Sequence, residues 1–349
     1  MYTPYFTITP KVTRDIEAIG AVFGFFRKVQ IPKGYRKEFV SKVTAETIHA
    51  STAIEGNTLT EKQVEDVLNG KTIHAEKQDI KEIINYNSAL TYIEQFSKKE
   101  KVPQITETFI KEINACILKG IRDDIAGIYR TGQVIVGDYL PPEYSKIPLL
   151  MEEFIEWIQN PQPAQLSPVL YTGIAHYQFV AIHPFGDGNG RTTRVLTTYM
   201  LMQNNYDMTS LFALESFYNR NRKAYYEALN SADKYRKDGQ PDLTHWLEYY
   251  IEGMLIEAER AKSRIEALLE KSTKLLDKVW LSDIQMKLLH LTAQKGSAKA
   301  NDFLQVSSLS IRGTYKTLQK LVESGLLEKT GEKKGTVYKI TEKGLRYVK

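Results

Sequence analysis

The stretch Ile182–Arg194, IHPFGDGNGRTTR, decides how the rest of this chain is read. Glycines stand at 186, 188 and 190, a histidine lies four residues before Asp187, and two arginines are three apart. The preceding SPVLYTGIAHYQFVAI reads as a strongly apolar helix, and the following TTRVLTTYMLMQ reads as another. The stretch is therefore a loop between helices. A dinucleotide fingerprint would follow a strand, and a phosphate-binding P-loop would end in Gly-Lys-Ser/Thr, so both are excluded.

The chemistry of the loop nevertheless points to an anion. Gly186, Gly188 and Gly190 free the backbone to turn successive N–H groups toward one point. The helix that starts near Arg191 aims its positive end at the same place, and Arg191 and Arg194 share its first turn. Asp187 would repel a phosphate unless a divalent cation, Mg²⁺ or Mn²⁺, lies between them. His183 is the one group in the loop suited to taking a proton near neutral pH. Polyphosphate cradle, metal carboxylate and base together suit transfer of a phosphorus-containing group to a hydroxyl.

Outward from the loop, most of the chain has helical spacing. RKEFVSKVTAETIHASTAIEGN places Phe39, Val43, Ala50 and Ile54 on one face, with Gly56-Asn57 as its stop. TEKQVEDVLNG follows with a capping box at Thr60 and Gln63. Between Tyr129 and Pro142, YRTGQVIVGDYLPP predicts a small hairpin whose edge at Val134, Ile135, Val136 and Gly137 is free to pair with an extended peptide. Helical spacing resumes at Leu243 and continues toward Leu276, about 50 Å if unbroken.

The whole chain has the composition of an ordinary globular protein, 42% hydrophobic and 26% charged. No run of ~18 apolar residues predicts a membrane span. The start lacks the pattern of a secretory signal, and a single cysteine, Cys116, excludes a disulfide framework; a cytoplasmic setting is expected. The net charge of +5 is unevenly divided: Ser272–Lys349 holds 15 basic and 7 acidic residues, leaving 32 and 35 in the remainder. In this basic tail three short helices precede a two-stranded ribbon, the pattern of a winged helix-turn-helix. Arg312, Lys316 and Lys320 recur along one face of the third helix, with Lys329, Lys333, Lys334 and Lys339 in or around the wing. Such a face contacts DNA phosphates or is a solvated surface that binds protein, and the pattern leaves both open.

HPFGDGNGRTTR, residues 183–194, resembles the signature of the Fic-domain family at every specified position. The resemblance implies a mainly α fold: a helical bundle with a small β-hairpin flap, here joined to the winged helix. It implies ATP as the substrate and AMP transfer to a Ser, Thr or Tyr hydroxyl of a protein. In that reading His183 is the base, and Asp187 holds the metal between the α- and β-phosphates. Gly186, Gly188, Asn189 and Gly190 line the cradle, and Arg191 and Arg194 take the outer phosphates. Phe185 anchors the loop by packing. The hairpin resembles the family's flap over nucleotide and target, and AYYEALNSAD resembles its nucleoside-side helix, with Tyr225 and Tyr226 toward base and ribose. Asp233 stands where relatives often have Asn.

STAIEGN, with Ser51, Glu55 and Gly56, resembles the family's inhibitory motif, which implies that Glu55 pairs with Arg194 and blocks the γ-phosphate. A Glu at the negative end of a helix is itself mildly unfavourable. His49, His74, His176, His245 and His290 have no cluster spacing and read as structural or surface residues. The expected organisation is an N-terminal helical region with the inhibitory helix (1–95), a catalytic core (96–260), a helical linker (261–278) and the winged helix (279–349). Two other functions use the same parts: removal of AMP from a modified protein, with Glu55 positioning water, and a DNA-binding regulator whose Fic body senses nucleotide. The partners admitted are a target protein docked at the flap, the chain itself as target, DNA through the tail and a second copy of the chain; no membrane is expected.

Overall fold

The structure is a computed structural model and describes residues 2–29, 31, 33–98, 104–160, 166–206, 211–234, 240–276, 281–331 and 335–348. The chain divides into two units, one of residues 1–29 and 38–263, the other of 30–37 and 264–349.

The first unit is built of helices α1 (Pro10–Lys28), α2 (Lys33–Ile54, from Glu38 on), α3 (Glu61–Leu68), α4 (Lys77–Ser97), α5 (Glu107–Leu118), α6 (Ile147–Gln159), α7 (Pro168–Ile182), α8 (Asn189–Gln203), α9 (Leu214–Arg220), α10 (Arg222–Lys234) and the start of α11 (Thr244–Leu276). Their starts are written locally. Thr9 and Thr106 cap α1 and α5 through their hydroxyls, and the capping box at Thr60 and Gln63 is closed at the head of α3. α7 is apolar around its circumference, so neighbours must cover every face, and ten of its residues are buried. Phe39, Val43, Ala50 and Ile54 of α2 are all buried. One hydrophobic core runs from Val12 to Ala261, so the expected regions 1–95 and 96–260 pack as a single body. The expected linker is the C-terminal part of α11 as far as Leu276.

The expected hairpin is reduced to one bridge. Val136 and Tyr139 exchange N–H···O bonds of 2.9 Å in both directions, and Gly137 takes φ +57° in the turn. A ladder does not extend to Val134 and Ile135, because the preceding chain is held by side chains instead.

The second unit runs α12 (Asp283–Lys295), β1 (Ser297–Lys299), α13 (Ala300–Val306), α14 (Ile311–Glu323), β2 (Leu327–Thr330), β3 (Val337–Ile340) and α15 (Glu342–Leu345). The antiparallel sheet has the order β1-β3-β2, with Ala298 opposite Tyr338 and Lys329 opposite the same residue on the other edge. Leu288, Leu289, Phe303, Leu318, Leu321 and Tyr338 fill its core. The segment 30–37 joins this unit through Tyr35, whose hydroxyl accepts from Arg346 at 2.9 Å beneath the guanidinium. β1 and α15 have no counterpart in the sequence reading: a three-residue strand and a four-residue helix are too short to show a period. Lys333 and Lys334 lie outside the described residues.

Candidate active site

The loop between α7 and α8 is shaped by two left-handed residues. His183 closes α7 at φ +50°, a conformation uncommon for a side-chain-bearing residue, and Gly188 opens α8 at φ +76°. Asn189 clamps the turn from within: its side chain accepts from the Phe185 amide at 2.9 Å and donates to the Phe185 carbonyl at 2.8 Å. Phe185 is buried against Phe179 and Tyr129 and anchors the loop, as its pattern implied. The first amides of α8 have no partner within their own helix, which leaves them to face an anion.

Three residues that sequence reasoning passed over hold this geometry. Asn114 of α5 donates to the Asp187 carbonyl at 3.0 Å and to Thr192 Oγ1 at 3.2 Å, while its own oxygen accepts from the Gly127 amide at 2.9 Å. A polar residue on a face otherwise made by Ile110, Ile113 and Ile117 was the available signal. Arg130 donates to the carbonyls of His183 (2.9 Å), Gly132 (3.0 Å) and Pro142, so it ties both ends of the flap to the loop between α7 and α8. Glu82 of α4 lies 3.4 Å from Arg191 Nη1 and accepts from Asn57 at 2.9 Å. Neither Arg130 nor Glu82 carries a local pattern that would have found it.

His183 donates from Nδ1 to the Val180 carbonyl at 3.3 Å, since a carbonyl can only accept. The neutral ring therefore keeps Nε2 free as a base. Burial pushes the His183 pKa below its ordinary value and Arg130 adds to this; the bond to Val180 and the charges of Glu55 and Asp187 oppose them without prevailing. Asp187 is 40% exposed and accepts from Arg191 at 3.2 Å and from the Gly188 amide. Among the described residues no cluster of three or more His, Cys, Asp or Glu side chains could cage a metal. A single exposed carboxylate beside an anion cradle suits Mg²⁺ or Mn²⁺, which takes hard oxygen ligands and shares them with phosphates.

The second informative stretch arrives at the same point. α2 ends in a turn in which the amides of Glu55 and Asn57 return to the Thr52 carbonyl and that of Gly56 to Ala53, with Gly56 at φ +104°. This turn directs Glu55 onto Arg194 Nη2 at 2.8 Å. Ser51 completes the grip, its hydroxyl accepting from Arg194 Nε at 2.7 Å and its carbonyl from Nη2 at 2.9 Å. A Cβ added at Gly190 would collide with Glu55 Oε1, so the carboxylate lies against the first turn of α8, where an anion belongs. Burial alone would raise the Glu55 pKa; the charge and hydrogen bond of Arg194, helped by Arg191 and His183, hold it below the ordinary carboxylate value. Arg194 is 2% exposed; burial opposes its charge and Glu55 more than restores it, raising its pKa.

The nucleoside-side residues separate. Tyr225 is buried, stacks on Tyr218 with centroids 4.5 Å apart and hydrogen-bonds His176, so it faces the interior and not a base or ribose. Adjacent helix positions point about 100° apart, and Tyr226 accordingly remains 41% exposed on the outer side. Asp233 is half-buried near the end of α10. In the flap, Ile135 is 74% exposed and Val134, Val136 and Gly137 lie beside it at the turn. In the second unit Arg312, Lys316 and Lys320 of α14 are all exposed. No helix among the described residues is long and apolar enough to cross a membrane.

Residues 104–201 match the family described as Fic/DOC. Over 165 residues, 46% of this chain, it is 38% identical to the Protein adenylyltransferase Fic of Drosophila grimshawi and 37% identical to that of Drosophila melanogaster. It spans only about a third of the length of these curated relatives, 33% and 32%. The crystal structure of a Fic family protein from Desulfovibrio desulfuricans is similar over 97% of this chain and 98% of its own, with 26% identity and a TM-score of 0.69. A Fic domain-containing signalling protein from Bacteroides thetaiotaomicron, 24% identical with a TM-score of 0.61 over 73% of this chain and 97% of its own, shares the fold.

Proposed function

We propose that this chain is a self-inhibited protein adenylyltransferase that moves AMP from ATP to a Ser, Thr or Tyr hydroxyl of a target protein. The observation that carries the reading is the Glu55–Arg194 pair at 2.8 Å, lodged in an anion cradle beside a histidine with a free Nε2. The names of the relatives matched over residues of the Fic domain support the reaction class. His183 Nε2 takes the proton of the target hydroxyl as its oxygen attacks the α-phosphorus. The bond from that phosphorus to the bridging oxygen breaks, and pyrophosphate leaves. The α8 amides, Gly186, Gly188, Asn189 and Gly190 cradle the phosphates, and Arg191 and Arg194 balance their charge. Asp187 would hold Mg²⁺ or Mn²⁺, which neutralises charge on the phosphates. A target segment pairs with the exposed backbone at Val134 and Ile135, by strand addition; Tyr226 and Asp233 border the nucleoside.

Glu55 holds Arg194 away from the γ-phosphate, so the wild-type chain is slow. The deciding experiment is transfer of label from α-³²P-ATP with Mg²⁺, alone and with cell lysate. Glu55→Gly is expected to raise labelling and Glu55→Gly/His183→Ala to abolish it. No label in any sample would overturn the reading. If Glu55→Gly lost the power to strip AMP from a labelled protein that the wild type processes, the reaction would instead be AMP removal.

For the second unit we propose a winged helix-turn-helix that meets DNA phosphates through α14. Its element order, the exposed row Arg312, Lys316 and Lys320 and the basic excess of the tail favour this. Binding of the full chain to duplex DNA should fall steeply with salt, and replacing the three residues by Ala should flatten that slope; binding indifferent to either change would reject it.

A further inference from the structure

Asn57 lies two residues beyond Glu55, in the same turn, and its side chain is bonded at both ends. The Asn57 oxygen accepts from the Leu59 amide at 3.1 Å, and its backbone amide donates to the Thr52 carbonyl at 3.1 Å. Nδ2 donates one proton to the Asp79 carbonyl at 3.0 Å and the other to Glu82 Oε2 at 2.9 Å. Asp79 and Glu82 stand three apart on α4 and so share a face. The Asp79 carboxylate also accepts from the Thr58 amide at 3.2 Å and from its hydroxyl at 2.6 Å. The turn that carries Glu55 is thus clipped to α4.

Burial decides which contact holds that turn most firmly. The Glu55 side chain is 30% exposed, and water weakens its pairing with Arg194. Asn57 is 8% exposed and the Glu82 side chain 11%, so the bond between them works in a drier setting. Glu82 is itself pinned to α8, because its other oxygen faces Arg191 Nη1 at 3.4 Å. That Nη1 has no hydrogen-bond partner among the described residues, so of these two neighbours Asn57 holds the carboxylate more closely. Glu55 therefore reaches Arg194 from a support on α4, and the support rests on α8 through a different arginine.

We propose that Glu82, acting through Asn57, is a positioning residue that holds the Glu55 turn in its blocking place. The inference rests on the self-inhibited adenylyltransferase reading, but the first part of its test needs neither nucleotide nor transfer. Amide hydrogen exchange of the full chain would be followed at Gly56 and Asn57, whose N–H groups bond to the Ala53 and Thr52 carbonyls. Glu82→Ala should speed exchange there about tenfold, the scale of one hydrogen bond to a charged group. Glu82→Gln keeps an acceptor for Asn57 without the charge and should retain most of the protection. Equal acceleration by both variants would assign the effect to the charge beside Arg191 and overturn the proposal, as would acceleration by neither.

The second part reads ATP affinity, by calorimetry with Mg²⁺. Asn57→Ala should tighten ATP binding several-fold, short of the level reached by Glu55→Gly, because a loosened carboxylate competes less with the γ-phosphate. In the Glu55→Gly background the same substitution should change nothing, since no carboxylate is left to place. Damage to the fold would lower affinity, so a gain separates positioning from a merely structural role. Unchanged or weaker binding in Asn57→Ala, or an equal gain in both backgrounds, would overturn the proposal. Absence of labelled product from Glu55→Gly, with the exchange and affinity shifts intact, would count against the reaction and not against the positioning role. Failure of every form to bind ATP would likewise count against the reaction, and the exchange result would then decide the positioning role by itself.

Discussion

Arg194 and Glu55 stand 139 residues apart in the chain and meet at 2.8 Å. The pair joins the turn that follows α2 to the second turn of α8, and it sits where a helix N-terminus and two arginines would otherwise receive an anion. A carboxylate imitates a phosphate in charge and in its oxygen acceptors, so under the proposed function one side chain satisfies the cradle and closes it. Ser51 and Arg194 are buried while the Glu55 side chain is 30% exposed, and each can be tested through its partner.

Ser51→Ala would leave Arg194 Nε without its acceptor in a site closed to water. The expected cost is about 1–3 kcal/mol of stability, read as a lower melting temperature, together with a modest rise in AMP transfer as the grip weakens. Equal melting of the two proteins would show that Ser51 does not hold the guanidinium.

Gly190→Ala places a methyl group where Glu55 Oε1 lies. In the wild-type background the clash should cost about 1–3 kcal/mol, whereas in Glu55→Gly the space is vacant and the cost should shrink. Thermal melts of the four proteins in this cycle provide the check. An equal shift in both backgrounds would place the carboxylate elsewhere.

The depressed His183 pKa sets the direction of the pH profile. Its base is the neutral ring, present above the folded pKa and lost as pH falls through it. Transfer by Glu55→Gly should therefore hold its plateau from pH ~8 down past the ordinary histidine value of ~6.5 and decline only below that. Glu55 is one of the groups that raise the His183 pKa, so removing it extends the plateau further. A midpoint above the ordinary value would contradict the site as described.

Glu215 is a buried acid with no role in the proposed reaction. Burial, only partly offset by its own amide, Arg194 and Tyr86, pushes its pKa up to about 7. The protonated form is favoured in the folded state, so its contribution is whole below the unfolded value near ~4.5 and is lost as pH rises through the folded one. Glu215→Gln removes that cost: about 3 kcal/mol of added stability is expected at pH ~8 and little at pH ~4.5. Denaturant titrations at the two pH values test it, and the same gain at both would exclude a titrating carboxyl.

Local chemistry made part of this protein readable from the chain alone. Glycine spacing, the cap at Thr60, and the apolar face of α2 each act within a turn or two, and all reappear in the structure. The loop of residues 183–194 was legible for the same reason: base, cradle and arginines are neighbours in sequence, so backbone geometry alone brings them together. Tertiary structure decided what depends on distant partners. Tyr225 and Tyr226 look alike as adjacent letters, and only packing against Tyr218 and His176 turns one inward. The flap lost its ladder because Arg130, spending its donors on the carbonyls of His183, Gly132 and Pro142, holds the strand ends where pairing would have held them. Asn114, Glu82 and the contact of Glu55 with Arg194 likewise exist only after the helices pack. A sequence determines the short-range conformations that its own neighbours impose. Which buried polar group finds which partner is settled when burial makes an unpaired one costly, and that choice belongs to the fold.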